Sequence, residues 1–326
     1  MAALNSFLPR TACGVLLLLI VQCLSVDARG QGFINQAAVA SIVDTQMGPV
    51  DSVPDAFYEY YVLSSSRNNT VQARNTLYYV LGGGDLKIGK ERSKLVGLLN
   101  RVLIQMGQVG DTLVVPTRFD IDFRAYSPFP RYYPGAKDFP KLFIIHKTIQ
   151  AFAAYESGEL VRWGIVNTGA KDSPTPTGRY NFNWKTDYKV SSLSPPDEPW
   201  EMHWVFNFHE KRGIHIHQYA MPVAGPASHG CVRLLDPDAM YIYNWADSWK
   251  TTLGNDVGSE KGSLLLQGTT VLVVGDDPPG KPQPFLLKKR YPVLKLVDLP
   301  DHPFDVPAGT EQQLAFDQAR SSLSTR

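Results

Sequence analysis

Beyond residue 140 the hydrophobic positions come as short β-branched and aromatic runs. Residues 141–146 (KLFIIH), 148–155, 160–167, 203–208, 213–218 and 269–274 each have the length of a strand, with polar or glycine punctuation such as Ser157-Gly158 between them. That pattern predicts a strand meander. One helix interrupts it: Asp236 caps, Pro237 suits the first turn, and Ala239, Ile242, Tyr243 and Ala246 follow at helical spacing. The region is therefore expected to be mainly β with one attached helix.

Before residue 140 the periodicity is weaker. Residues 55–63 and 76–81 are Tyr-rich, and residues 93–107 (SKLVGLLNRVLIQMG) set Leu95, Leu98, Leu99, Val102 and Met106 on one helical face. Residues 111–116 (DTLVVP) read as a short strand stopped by proline, so a mixed α/β N-terminal region is expected. A helix carrying Asn100 followed by GDTLVVP resembles the second half of a LysM glycan-binding repeat; the plainer alternative is a packed helix and strand. Asn68-Asn69-Thr70 fits a glycosylation sequon, which matters only in a eukaryotic host. The Pro- and Tyr-rich stretch 126–139 (YSPFPRYYPGAKDF) is a natural boundary where the chain runs extended.

Four segments result: an export signal over 1–28, an N-terminal region over 29–138 with the LysM-like part at about 93–116, a β-rich domain over 139–275, and a Pro-rich extension over 276–326. The extension (DDPPGKPQPF onward) reads as a linker or surface-hugging arm, with a polar tail of the kind that is usually mobile. For the signal, Arg10 precedes an apolar run of 11 residues, Cys13 to Cys23, too short to span a bilayer. Val26 and Ala28 supply the small residues of a cleavage site, so the mature chain begins at Arg29 and keeps no membrane span. Export to the periplasm or cell envelope follows.

Composition narrows the class. With 44% hydrophobic and 11% aromatic residues among 326, a core is affordable, and 26 Gly with 24 Pro argue against a helical bundle. Lys and Arg total 32 against 31 Asp and Glu, and cleavage removes one charge of each sign, so nucleic acid is not an expected partner. Of three cysteines only Cys231 survives cleavage, a lone thiol in an exported protein.

The neighbourhood of that thiol carries the chemistry. Residues 213–234 (GIHIHQYAMPVAGPASHGCVRL) contain His215, His217 and His229 beside it. A cysteine attacks as thiolate and needs an imidazole within hydrogen-bond reach, while Gly230 lets the backbone turn and leaves nearby amides to face an oxyanion. His217, then Ser228-His229-Gly230-Cys231-Val232-Arg233, resembles the catalytic signature of the L,D-transpeptidase (YkuD) family. Asn167-Thr168-Gly169 followed by Thr175-Pro176-Thr177-Gly178 is similar to that family's strand-end glycine and TPTG turn. The resemblance covers about 135 residues, and the ten residues between His217 and Ser228 make a shorter loop than the family's usual one.

The resemblance implies a YkuD-like β-sandwich that joins peptidoglycan stem peptides through a thioester on Cys231, needs no cofactor and is acylated by carbapenems. If water replaces the acceptor amine, the same site is an L,D-carboxypeptidase or crosslink hydrolase. Strand alternation puts His215 and His217 on one face, so both approach the cysteine; His217, nearer the loop mouth, is favoured as base, with His215 as partner. His229 steadies the turn, Ser228 caps it or orients an imidazole, and Arg233 grips a substrate carboxylate in a fork. The rival reading is a zinc hydrolase using His215 and His217 with His203, His209, His229 and Cys231.

Overall fold

In the computed structural model, residues 32–223, 225–254, 262–282 and 284–324 are described; the expected export signal and cleavage site lie in 1–31, outside them. Side-chain caps start each early helix. Asn35 accepts the Ala38 N–H at α1 (Gln36–Val43). After β1 (Tyr58–Val62), Asn69 caps α2 (Thr70–Leu81) and Asp85 caps α3 (Leu86–Asn100). β2 (Thr112–Pro116) then pairs antiparallel with β1, so a two-stranded ribbon brackets a helix hairpin.

The helix expected over 93–107 is the second half of α3. Leu95, Leu98 and Leu99 are buried as the spacing requires, but the chain leaves the helix at Arg101 (φ 54°) and Met106 is exposed. Asn100 ends the helix. Its side-chain amide donates to the carbonyls of Val96 and Val114 and its oxygen accepts the Val114 N–H, tying the helix terminus to β2.

The branched and aromatic runs form the strands of one curled sheet. They are β3 (Leu142–His146), β4 (Ala151–Glu156), β5 (Glu159–Asn167), β6 (Gly178–Asn181), β7 (Lys185–Val190), β8 (Glu201–His209), β9 (Ile214–Gln218) and β10 (Val232–Leu234). After α4 (Asp236–Trp245) and a small ribbon of β11 (Lys250–Thr251) and β12 (Leu264–Leu266) comes β13 (Thr270–Val274). The order across the nine-stranded sheet is β6-β13-β3-β4-β5-β10-β9-β8-β7. Its ends curl toward each other: Phe182, just past β6, stacks on Phe206 of β8 with ring centroids 4.2 Å apart, and the Asn183 N–H reaches the Asn207 carbonyl. One apolar cluster lies between the two halves, with Phe143, Ile145 and Phe152 from one and Phe208, Ile214 and Ile216 from the other. The fold is mainly β, as expected, with α4 the helix attached to the sheet.

A second cluster joins the N-terminal elements to the other sheet face. Val39, Leu98 and Val114 share it with Phe123, Tyr126, Phe129, Ile144 and Trp163, so the Pro- and Tyr-rich stretch contributes fully buried rings. The C-terminal residues are held as well. β14 (Phe285–Leu287) pairs with β15 (Pro292–Leu294), Phe285 meets Tyr58 edge-on at 5.0 Å, and Asp317 of α5 (Glu311–Ser324) binds Arg179 of β6. Among the described residues no helix is long and apolar enough to cross a membrane.

Candidate active site

β9 and β10 run parallel at the centre of the second sheet half, with Ile216 opposite Val232 and His217 opposite Arg233. That register carries Cys231, the residue before β10, to His215. The Sγ lies 3.8 Å from His215 Nδ1 and 3.8 Å from the Gly213 carbonyl oxygen. His215 is buried, meets the Trp184 ring edge-on at 5.1 Å, and its Nε2 has no hydrogen-bond partner among the described residues. His217 is buried one pair further along. Its Nδ1 sits 2.9 Å from the Gln218 carbonyl, which can only accept, so Nδ1 carries the hydrogen. The structure thus sets His215, not the favoured His217, against the thiol.

The turn before Cys231 is held from several sides. Ser228 Oγ donates to the Cys231 carbonyl and accepts the Gly230 N–H at 3.1 Å, so the Gly230 amide is committed to that hydroxyl. Gly230 adopts φ 114°, which favours glycine. The TPTG turn closes on the same loop: Thr175 Oγ1 donates to the Gly230 carbonyl and accepts the Gly169 N–H, and Ser173 Oγ donates to the His229 carbonyl. A Cβ on Gly169 would come within 2.1 Å of the Ser173 carbonyl oxygen and 2.9 Å of Gly230 Cα, so only glycine fits that crossing.

Sequence reasoning did not find Gln150, which braces this assembly from below. It is fully buried; its Oε1 accepts the Thr168 N–H at 2.9 Å and its Nε2 donates to Thr168 Oγ1 at 2.7 Å. The Thr168 carbonyl in turn accepts the N–H groups of Ala227 and Ser228. A single glutamine inside the apolar run 148–155 carries no periodic signal.

Residues 219–223 fold back on the N-terminal segment, where the Ile34 N–H donates to the Met221 carbonyl and Phe33 bridges Pro222. On the open side, Cys231, His215, His217, Ser228, His229 and Arg233 line a cavity of about 320 Å³. Lys189 and Arg212 line it too, and among the described residues no Asp or Glu does. Arg233 donates to the Ala220 carbonyl and lies 4.7 Å above the Tyr219 ring; His229 is exposed and stacks on Trp200 at 5.3 Å.

Burial dominates the electrostatics. It pushes His215 down to about 3, with His217 and Lys189 adding to the effect, and His217 down to about 4 against its bond to the Gln218 carbonyl. Burial also raises the Cys231 thiol, opposed by His215 and Arg233. The resting pair is therefore neutral thiol and neutral imidazole.

The zinc reading needs three or more ligands around one point. His203 packs on Tyr188 and His209 on Tyr180, and among the described residues no group of three or more His, Cys, Asp or Glu is placed to hold a metal.

Residues 118–273 match the family model of the YkuD L,D-transpeptidase catalytic domain. No curated protein matches the chain. Solved structures similar to it include an L,D-transpeptidase from Mycobacterium smegmatis (18% identity, 41% of this chain and 58% of that one, TM-score 0.32). Another is from Stackebrandtia nassauensis (23%, 42% and 57%, TM-score 0.32), and a third covers residues 123–326 of an enzyme from Xylanimonas cellulosilytica (20%, 70% and 100%, TM-score 0.36). The chain spans under three fifths of the first two.

Proposed function

We propose that this YkuD-family domain is an exported, cysteine-dependent L,D-transpeptidase that crosslinks peptidoglycan stem peptides. The observation that carries the reading is the Cys231–His215 pair at 3.8 Å, in a cavity that Lys189, Arg212 and Arg233 also line and, among the described residues, no carboxylate does. His215 Nδ1 takes the thiol proton as Sγ attacks the carbonyl of the third stem residue. Collapse of the adduct expels the terminal D-alanine amine, which receives that proton, and leaves a thioester. The acceptor amine then attacks the thioester, gives its proton to His215, and the thiol is restored.

With the Gly230 N–H taken by Ser228, the Cys231 N–H is the amide assigned to the oxyanion. Arg233, Arg212 and Lys189 supply charge for a donor that ends in free carboxylates. His217 acts on its neighbours Tyr219 and Gln218, and Ser228 and His229 keep the turn.

Incubating the purified chain with a disaccharide-tetrapeptide and reading products by mass tests this. A dimer lacking one D-alanine supports transpeptidation, and loss of D-alanine alone makes the domain an L,D-carboxypeptidase. Cys231→Ser should abolish both products and the covalent mass gain from a carbapenem. Turnover that survives Cys231→Ser would overturn the proposal.

A further inference from the structure

A second cavity, of about 290 Å³, shares no lining residue with that of the thiol and lies between α1, α3 and Ile165 of β5, the central strand of the large sheet. Most of its wall is aliphatic: Val39, Leu98, Leu103, Ile104, Ile165 and Val223 line it, with Asn35, Ser93 and Gln105 the neutral polar residues and Tyr78 the one ring among the described residues. Arg101, which also lines it, is only 6% exposed. Its guanidinium donates to the carbonyls of Ile149 and Gln150, at 2.9 and 2.7 Å, and among the described residues no carboxylate pairs with it.

Buried charges are ordinarily paired, and two carbonyl dipoles do not neutralise a full positive charge. Burial pushes Arg101 down to about 9, so it stays protonated at neutral pH. The surroundings add positive charge. Lys90 and Lys94 also line the cavity, Lys94 paired to Glu91, and Arg101 helps burial depress Lys281 against the opposing Asp111. An anion is the missing partner, and an aliphatic wall with a single ring suits an alkyl chain better than a flat ring system.

We propose that this cavity binds an alkyl carboxylate, its head paired with Arg101 and its chain along the Val39–Leu98–Ile165 wall. The guanidinium offers the carboxylate a fork of donors, and the alkyl chain leaves water for an apolar surface.

Calorimetric titration of octanoate and of octan-1-ol into the full chain tests the assignment. Octanoate should bind one to one, at least tenfold more tightly than the alcohol. Arg101→Met should weaken octanoate at least tenfold and leave the alcohol unchanged, while Ala38→Phe, which fills the cavity from α1, should remove both. Arg233→Gln, in the other cationic cavity, should leave octanoate binding intact. Equal affinity for acid and alcohol overturns the proposal, as does octanoate binding that survives Ala38→Phe or is lost with Arg233→Gln. If Arg101→Met fails to fold by circular dichroism, the acid-to-alcohol ratio and Ala38→Phe decide alone.

Discussion

The neutral resting state of Cys231 and His215 makes a prediction that separates general-base catalysis from a preformed ion pair. A thiol at its ordinary pKa of about 8.5 is roughly 3% thiolate at pH 7. Burial moves Cys231 further from ionisation, and His215, pushed down to about 3, is unprotonated across neutral pH. Acylation by a stem peptide should then be flat from about pH 5 to 8, because thiol and base both stay in their working forms and neither titrates in that interval. Alkylation by iodoacetamide, which reports free thiolate, should rise about tenfold per pH unit over the same range.

Replacing His215 by alanine removes the group 3.8 Å from the sulfur, and acylation should slow by about 10² to 10⁴, or roughly 3 to 5 kcal/mol of barrier. His217→Ala should cost less than about tenfold, since its Nδ1 hydrogen is held by the Gln218 carbonyl and it does not meet the thiol. Stopped-flow acylation with a chromogenic carbapenem, run across pH on both variants, gives these numbers. An alkylation rate that plateaus between pH 5 and 8 would mean a thiolate–imidazolium pair, and a larger loss at His217 than at His215 would return the base to His217.

Three further outcomes follow from neighbouring contacts. Gln150→Leu strips the Thr168 N–H and hydroxyl of their partners, so unfolding free energy should fall by about 2 to 4 kcal/mol and kcat should drop with KM little changed; a loss confined to stability would show that the Thr168 brace does not position the nucleophile. Arg233→Gln should raise KM about tenfold for a donor with a free terminal carboxylate and leave its amidated analogue unaffected, and equal effects on both would remove the carboxylate role. Arg162→Leu leaves Asp238, fully buried and already raised to about 6 by burial, without the guanidinium bonded to it at 2.7 Å; about 3 to 5 kcal/mol should be lost at pH 7.5. Because the folded carboxyl then titrates above its unfolded value, that loss should shrink as pH falls toward 4, and a deficit equal at pH 4.5 and 7.5 in urea unfolding would contradict the buried charge.

How far the sequence announced this molecule depends on how local each determinant is. The runs at 142–146, 159–167 and 270–274 became strands because β-branched and aromatic residues buried on both faces tolerate little else, and α4 began where Asp236 and Pro237 placed it. β7 was not visible: residues 185–190 (KTDYKV) are mostly polar and none is buried, and they pair only because β8 offers an edge. α2 was hidden by aromatics of modest helix propensity, although Asn69 caps it. The end of α3 was misjudged because Arg101 breaks the helix through Asn100, whose partner in β2 lies 14 residues on.

The site shows the same division at finer scale. Ser228, Gly230 and Cys231 interact within four residues, so their run is a local signal. The choice of base is not local. His215 and His217 stand on one face of β9, follow the same apolar residue type and are buried alike. What distinguishes them is that β10 lies parallel to β9 with Val232 opposite Ile216, which puts the residue before β10 beside His215; a two-residue slip would have put it beside His217. That register is fixed by contacts neither histidine makes: Asn167 at the end of β5 pairs with Arg233, and the Thr168 carbonyl, braced by Gln150, draws in Ala227 and Ser228. The proposed base is thus selected by β5, which ends more than sixty residues before Cys231, and that is why Gln150→Leu is expected to act on catalysis at all.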